Sequence, residues 1–453
     1  MQWTNGQQEA LTLLSEWEKL DVYANPDDSI FTLSGAAGTG KTTVVQEIIN
    51  MFKNKYKIIV SAPTHKAKEV IGEITKLRAE TIHSLLGLRP NIDLETFDPN
   101  NPTYQQLVEE RISSADIHII DECSMINKEL FKMLIKKAIL YKKRIIFIGD
   151  SRQLPPVNEK LSLTFMVKHK YELTEIVRQK NGNPNQLLLI DARSDVENMS
   201  NLVEELTKTE QDNTSNDDIG NRQGYIITNS QETFYNFLIE LYSDSEAKTN
   251  MNFIKTLVYT NIAAKKVNKF IKDKINPSKE VLSVGDILLG YKTVMNPIND
   301  KIIVQNSKDY RIYSLEIIEK KVQLKTYKFF RVNVDFINKT YIDILHPESY
   351  NAFQDVLLRL YINAKTNRAW RPFYRFREQF IVLENFYNTD NSILTTKDID
   401  FGYATTIHKA QGSTYNNVAV IYNNIKVCRV EKDRKRLAYV ALSRCKYLNL
   451  IYG

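Results

Sequence analysis

Cysteine is scarce in this chain: Cys123, Cys428 and Cys445 are the only three among 453 residues. They are too few and too scattered for a disulfide framework or a zinc site. Long apolar runs are missing too. No uncharged stretch approaches the ~18 residues of a membrane span, and the polar N-terminus lacks the apolar core of a signal peptide. There is no internal repeat and no low-complexity tract. Charge of one sign is weak, since 61 basic against 54 acidic residues leave a net +7, a bias many cytosolic enzymes share. These absences set the expectation of a cytoplasmic protein with no membrane partner. The composition, 43% apolar and 25% charged, is that of an ordinary globular protein. The length leaves room for roughly three domains.

What is present is concentrated in short motifs. Residues 35–43 read Gly-Ala-Ala-Gly-Thr-Gly-Lys-Thr-Thr and fit the phosphate-loop pattern G-x-x-x-x-G-K-[ST] at every fixed position. An apolar strand candidate, Ile30 to Leu33, precedes the loop. A helical pattern follows it, with Val44, Ile48 and Phe52 on one face and Val45 and Ile49 beside it. In that context the glycines let backbone N–H groups close around phosphates, and the helix N-terminus faces the anion. Gly38, Thr39, Gly40, Lys41, Thr42 and Thr43 are therefore candidate nucleotide ligands. Lys41 can reach the β- and γ-phosphates, and the Thr42 hydroxyl can hold Mg²⁺. The chain is expected to bind ATP with Mg²⁺.

Further charged and polar groups suit the same chemistry. Asp121 and Glu122 end the apolar run Ile119-Ile120, and in a parallel sheet strand C-termini line the ligand edge. Asp121 is the candidate metal ligand, and Glu122 the base that orients and deprotonates the attacking water. The next strand candidate ends in Gly149 to Pro156, where Gln153 carries both a donor and an acceptor for a γ-phosphate or a water. Arg178 and Arg444 are candidate arginine fingers, a role worth on the order of 10³–10⁵ in rate. If Arg444, from the C-terminal region, points at ATP on the first domain, nucleotide state and domain closure are coupled.

The order of elements is α/β. Strands at 30–34, 57–62, 117–120 and 144–148 alternate with helices, which predicts a parallel sheet covered on both faces. Residues 88–104, with Pro90, Pro99 and Pro102, leave that rhythm. The acidic stretch 208–224 reads as a loop near a domain junction, and a second sheet is expected to start at Lys255 to Tyr259. Between 281 and 345 the pattern turns to β, with Phe330, Val332, Val334 and Phe336 alternating with polar residues. Residues 349–386 read as helical, and strands return near 418–422 and 448–452. Basic residues interleave with Trp370, Phe373, Tyr374 and Phe376 over 365–377, and six more cluster at 426–436. They suit a nucleic-acid strand, or they are solvated helix faces with apolar stripes packed inward.

Taken together, the motifs resemble those of the superfamily 1B DNA helicases, in the Dda-like, RecD-like and Pif1-like group. Thr4 to Ala10 looks like the adenine-reading Q motif, with Gln7 the expected contact. The phosphate loop is similar to motif I, Ala62 to Ala67 to motif Ia, and Thr81 to Gly87 to the DNA-contact motif that follows. Asp121-Glu122 resembles motif II, Gly149 to Pro156 motif III, and Arg178 the motif IV arginine. Tyr403 to Thr414, with Gly412 at the nucleotide, resembles motif V, and Tyr439 to Arg444 motif VI. The resemblance implies two RecA-like parallel-sheet motor domains: 1A (1–87 and 108–180) and 2A (181–280 and 395–453). A β-hairpin pin (88–107) would interrupt the first, and an SH3-like barrel with a helical tower (281–394) the second.

It also implies a single-stranded DNA track. Pro63, Thr64, His65 and His83 would lie on the first domain, and Tyr259, Thr260, Asn261 and His408 on the second. Phe97 is the candidate wedge of the pin, or a loop aromatic tucked against its domain. Trp370 and Phe373 would fasten tower to pin or stack on bases. The chain departs from the family pattern in the pin and in 208–224. The expected function is an ATP-dependent, 5′-to-3′ single-stranded DNA translocase and helicase, acting as a monomer in phage or bacterial replication, recombination or repair. Its expected partners are single-stranded DNA, single-strand/duplex junctions, and single-strand-binding or replisome proteins. An RNA helicase of the Upf1-like group and an ATP-gated clamp without turnover stay open as alternatives.

Overall fold

The computed structural model describes residues 3–22, 24–90, 104–106, 109–175, 177, 184–214, 222–296 and 301–453. Two six-stranded sheets organise them. In the first, the order is 79–81, 58–62, 117–120, 144–149, 30–35, 169–173, and every pairing is parallel. Its inner strands are near-continuous apolar runs because helices cover both faces. Ile117, Ile119 and Ile120, and Ile145 to Phe147, are fully buried. The two strands not foreseen are the edges, Ala79–Thr81 and His169–Leu173. The helix Lys41–Phe52 buries Val44, Val45, Ile48, Ile49 and Phe52, the stripe its spacing predicts.

The second sheet runs 404–406, 254–258, 415–421, 445–452, 224–228, 211–214, parallel except for the last strand. It therefore begins earlier in sequence than Lys255. Gln211–Thr214, inside the acidic stretch read as a loop, is an antiparallel edge strand on Gly224–Thr228. A polar strand can sit there because only one of its sides needs a partner. Residues 215–221 lie outside the described residues.

A smaller β body sits between these parts of the chain. Ile287–Gly290 pairs antiparallel with Asp309–Arg311 and Ile399–Phe401. A meander of Ser314–Val322, Lys325–Asp335 and Thr340–Leu345 shares one core with them. The chain thus stays in this body as far as Phe401. Phe330 and Val332 are buried as the alternation requires, but Phe336 lies past the strand and is 74% exposed. The other face of the meander, with Tyr327, Phe329 and Leu345, packs on the helices Tyr350–Asn367 and Arg371–Arg377.

That packing decides the role of the aromatic cluster. Phe373 and Phe376 are buried, and Trp370 meets Tyr361 and Phe373 with ring centroids 5.8 Å apart in both pairs. Arg377 is buried too, with Nη2 donating to both Asp398 carboxylate oxygens at 2.8 Å. Phe373 and Phe376 are therefore core, with Trp370 and Tyr374 half-buried against them. In the second basic stretch Lys435 and Arg436 are buried against backbone carbonyls of Ser200 and Lys160, whereas Lys426, Arg429 and Lys432 are exposed. Leu88–Pro90 and Tyr104–Gln106, the described parts of the 88–107 excursion, pair antiparallel. Its Phe97 lies outside the described residues. No helix among the described residues is long and apolar enough to cross a membrane.

Candidate nucleotide and nucleic-acid site

Strand ends of the first sheet and one helix of the second meet around the phosphate loop. Gly40 has φ +80°, a conformation strained for any residue with a side chain, and a Cβ there would also crowd Gln7 Nε2. Lys41 Nζ donates to the carbonyls of Gly35 (2.6 Å) and Ala36 (3.0 Å), which holds the ammonium over the loop. Thr42 is exposed in the first helical turn, and Thr39 Oγ1 donates to Ala36 O (2.9 Å). Thr43 N and Val44 N donate to Gly40 O (3.0 and 3.1 Å), which winds the loop directly into the helix, and a helix N-terminus is a ready anion site. Gln7 is buried in a capping box: Thr4 N donates to its Oε1 (3.2 Å), and its Nε2 donates to Thr39 O (3.2 Å). Its amide is thus oriented by the loop itself.

Asp121 and Glu122 follow the strand Ile117–Ile120. Glu122 N donates to Asp121 Oδ1 (2.8 Å), and Glu122 itself sits in the left-handed region at φ 51°, an uncommon conformation for a side-chain-bearing residue. Burial, then the neighbouring Glu122 charge, push the Asp121 carboxyl up to about 7, with Lys41 and Arg444 opposing. From the second domain Arg444 Nη1 reaches within 3.7 Å of Glu122 Oε1 and also donates to Ser413 O (3.3 Å). Gly412 (φ +73°) lets this loop approach: a Cβ there would lie 2.8 Å from Ala67 Cβ and 3.7 Å from Glu122 Cγ.

Gln153 is buried, and its Oε1 has no hydrogen-bond partner among the described residues. An orphaned buried acceptor costs about 1–3 kcal/mol, which a ligand can recover. Arg178 lies outside the described residues, but Val177 N, one residue before it, donates to Gly38 O (3.0 Å).

The nucleic-acid candidates use one device twice. Thr64 caps the helix His65–Thr75 by accepting from Ala67 N (3.2 Å), and Thr260 caps Asn261–Ile275 by accepting from Ala263 N (3.2 Å). Each domain therefore offers a helix N-terminus at a strand end. Pro63, His65 and His83 are half-buried, and burial holds both imidazoles below their usual range, hence neutral at pH 7. On the second domain, Asn424 Oδ1 accepts from Tyr259 N (2.8 Å) and Thr260 N (3.0 Å). The Tyr259 ring lies 6.2 Å from that of His408, and Asn261 and His408 are exposed.

Sequence reasoning missed the groups that join the two domains. Lys66 crosses to Asp309 Oδ2 (3.3 Å) and the Tyr415 hydroxyl (3.1 Å), while Lys255 holds Asp309 Oδ1 at 2.8 Å. Tyr439 crosses to the phosphate loop and Asp150. Both lie inside quoted motifs, but nothing in their spacing names a partner hundreds of residues away. Among the described residues, no group of three or more His, Cys, Asp or Glu side chains could hold a metal ion. An oxygen pair such as Thr42 and Asp121 is the kind of set Mg²⁺ accepts, with phosphates and waters completing it.

Known proteins resemble the chain in the same places. A family profile described as an AAA domain matches residues 17–210, and one described as a UvrD-like helicase C-terminal domain matches 401–451. The ATP-dependent DNA helicase Dda of Enterobacteria phage T4 is 26% identical, over 92% of this chain and 92% of its own. The RecD subunit of the RecBCD enzyme from Buchnera aphidicola subsp. Schizaphis graminum is 27% identical, over 96% of this chain and 72% of its own. A Pif1 helicase, solved to explain DNA unwinding at forked double-stranded DNA, covers 100% of the chain with 92% of its own, at TM-score 0.53 and 18% identity. That likeness identifies the architecture as two RecA-like domains with further sheets.

Proposed function

We infer that this chain, which resembles the superfamily 1B DNA helicases of the Dda-, RecD- and Pif1-like group, is an ATP-driven motor that translocates on single-stranded DNA and unwinds duplex. The observation that carries this reading is Arg444 of the second domain facing Glu122 beside the phosphate loop of the first. Phosphoryl transfer needs positioning and cationic charge at the γ-phosphate more than covalent help. In this reading Lys41 and the loop amides bind the phosphates, and Glu122 takes a proton from the attacking water. Gln153 offers its free Oε1 to that water, and Arg444, with Arg178, neutralises charge developing on the γ-oxygens. Thr42 and Asp121 would hold Mg²⁺, which would supply charge neutralisation to the phosphates when bound. Gln7 would read the adenine.

The DNA track would run from Pro63, Thr64, His65 and His83 to Tyr259, Thr260, Asn261 and His408. Hydroxyls, neutral imidazoles and helix N-termini hold phosphates without reading sequence. Because the ATP site lies between two domains of one chain, a monomer is sufficient. Movement is 5′ to 3′ in this proposal, with Phe97 as the wedge.

Steady-state ATP hydrolysis with no nucleic acid, with single-stranded DNA and with single-stranded RNA tests the reading, with Lys41→Ala as the inactive control. Strong stimulation by DNA is expected. Stimulation by RNA that equals or exceeds it would move the chain to the RNA-helicase class, and turnover near zero under saturating DNA would leave a clamp. Duplexes with single 5′ or 3′ tails then test polarity, and faster unwinding from a 3′ tail would overturn it.

A further inference from the structure

We propose that Tyr439 is a positioning residue for ATP hydrolysis, tying the phosphate loop and the Asp150–Gln153 turn of the first domain to the second domain through its hydroxyl. The inference rests on the ATP-hydrolysing reading above. Tyr439 lies on the helix Glu431–Ser443 and is 1% exposed. Its hydroxyl accepts from the backbone N–H of Ala37 (2.9 Å) and donates to Asp150 Oδ2 (2.6 Å). One oxygen from the second domain thus satisfies two polar groups of the first.

Neither partner is incidental. Ala37 lies within the phosphate loop, where each backbone N–H direction shapes the anion cradle. Asp150 is fully buried, and its backbone carbonyl accepts from Gln153 N (3.2 Å), so the turn it heads presents the Gln153 side chain. Its other oxygen accepts from Arg152 N (3.0 Å). The Arg152 guanidinium balances the Asp150 charge from 3.6 Å and pairs with Glu172 (2.6 Å) on the first sheet and with Glu197 on the second domain's helix Asn185–Asn198. One turn before Tyr439, Arg436 Nη1 donates to Lys160 O (3.2 Å), so this helix face is the docking face.

The consequence is a coupling. The helix that seats Tyr439 also ends at Arg444, so docking delivers the arginine to Glu122 and completes the hydrogen bonds of the loop and the Gln153 turn in one movement. Undocking leaves Ala37 N–H and Asp150 Oδ2 without their partner. Packing alone does not need the hydroxyl, because a phenylalanine ring would fill the same buried space.

Tyr439→Phe tests this in the full chain, with Asp150→Asn and the double variant beside it. In Tyr439→Phe, kcat for DNA-stimulated hydrolysis is expected to fall roughly 10-fold or more, while KM for ATP and single-stranded DNA affinity without nucleotide change little. Because both side chains act through one hydrogen bond, the double variant should be no slower than the slower single variant. Tyr439→Phe with kcat within about two-fold of the unsubstituted chain, or single effects that multiply in the double variant, would overturn the proposal. An ATP KM that rises with kcat unchanged would overturn it too, as would an equal fall in thermal stability and activity restored on cooling. If the unsubstituted chain itself showed no turnover, the motor reading would fail with it, whereas the variant outcomes fail this inference alone.

Discussion

Glu122 shows how much a single residue carries at this site. It is held in a left-handed backbone conformation, faces an arginine from the other domain, and shares its surroundings with the buried carboxyl of Asp121. Glu122→Gln keeps shape and hydrogen bonding but removes the proposed base. Hydrolysis should fall by about 10²-fold or more, as general-base loss does, with ATP and DNA still bound. Single-turnover hydrolysis beside filter binding of labelled ATP checks this, and normal turnover would remove Glu122 from the mechanism. A different residue governs stability at acid pH. His118 is fully buried on a central strand with Nε2 2.7 Å from Ile112 O, and burial lowers its pKa from 6.5 to about 4. The folded chain thus binds fewer protons there than the unfolded chain between those values. Its contribution is complete above about pH 6.5 and is lost as pH falls toward 4, on the order of 3 kcal/mol in all. Urea midpoints of the unsubstituted chain and His118→Gln should converge or cross over that window. A constant difference would deny the role.

At the scale of elements, apolar periodicity was legible, and edges were not. The helix Lys41–Phe52 and the inner strands announce themselves by apolar spacing, because their burial is nearly complete. Ala79–Thr81, His169–Leu173 and Gln211–Thr214 are polar edge strands, held by backbone pairing on one side, which leaves little mark on side-chain identity. The aromatic stretch at 370–376 carried more than one reading in sequence, and packing puts Phe373 and Phe376 in the core. Phe376, fully buried among Tyr327, Phe353 and Phe380, should cost about 3–5 kcal/mol on truncation to alanine. Equilibrium denaturation should show that loss, while the salt dependence of DNA affinity stays unchanged. A reduced salt slope with unchanged stability would return the cluster to the DNA.

For the whole molecule, the joints between domains matter most. Burial pushes the Asp309 carboxyl up, but Lys255 and Lys66 outweigh it and leave it below the usual carboxylate range. Lys255 belongs to the second sheet, Asp309 to the small β body and Lys66 to the first domain, so one carboxylate links all three. Lys66→Met should leave Asp309 paired with Lys255 yet weaken domain docking by about 1–3 kcal/mol, the cost of a lost hydrogen bond to a charged group. Faster hydrogen exchange at 64–70 and 305–311, with the interior of each sheet unchanged, is the expected signature. Identical exchange would mean that the joint holds nothing.

The sequence by itself pointed to nucleotide binding. A phosphate loop, a carboxylate pair and their strand contexts are each written in contiguous residues, because backbone geometry over a few positions is what places them. Only the tertiary structure decided which groups cross the cleft. Tyr439 meets Ala37, Arg444 meets Glu122 and Lys66 meets Asp309 across separations that no local spacing encodes. It likewise decided that Phe373 and Phe376 are core and that the Gln153 amide oxygen has no partner among the described residues. Burial and long-range pairing are properties of packing, settled only when every element has competed for the same interior.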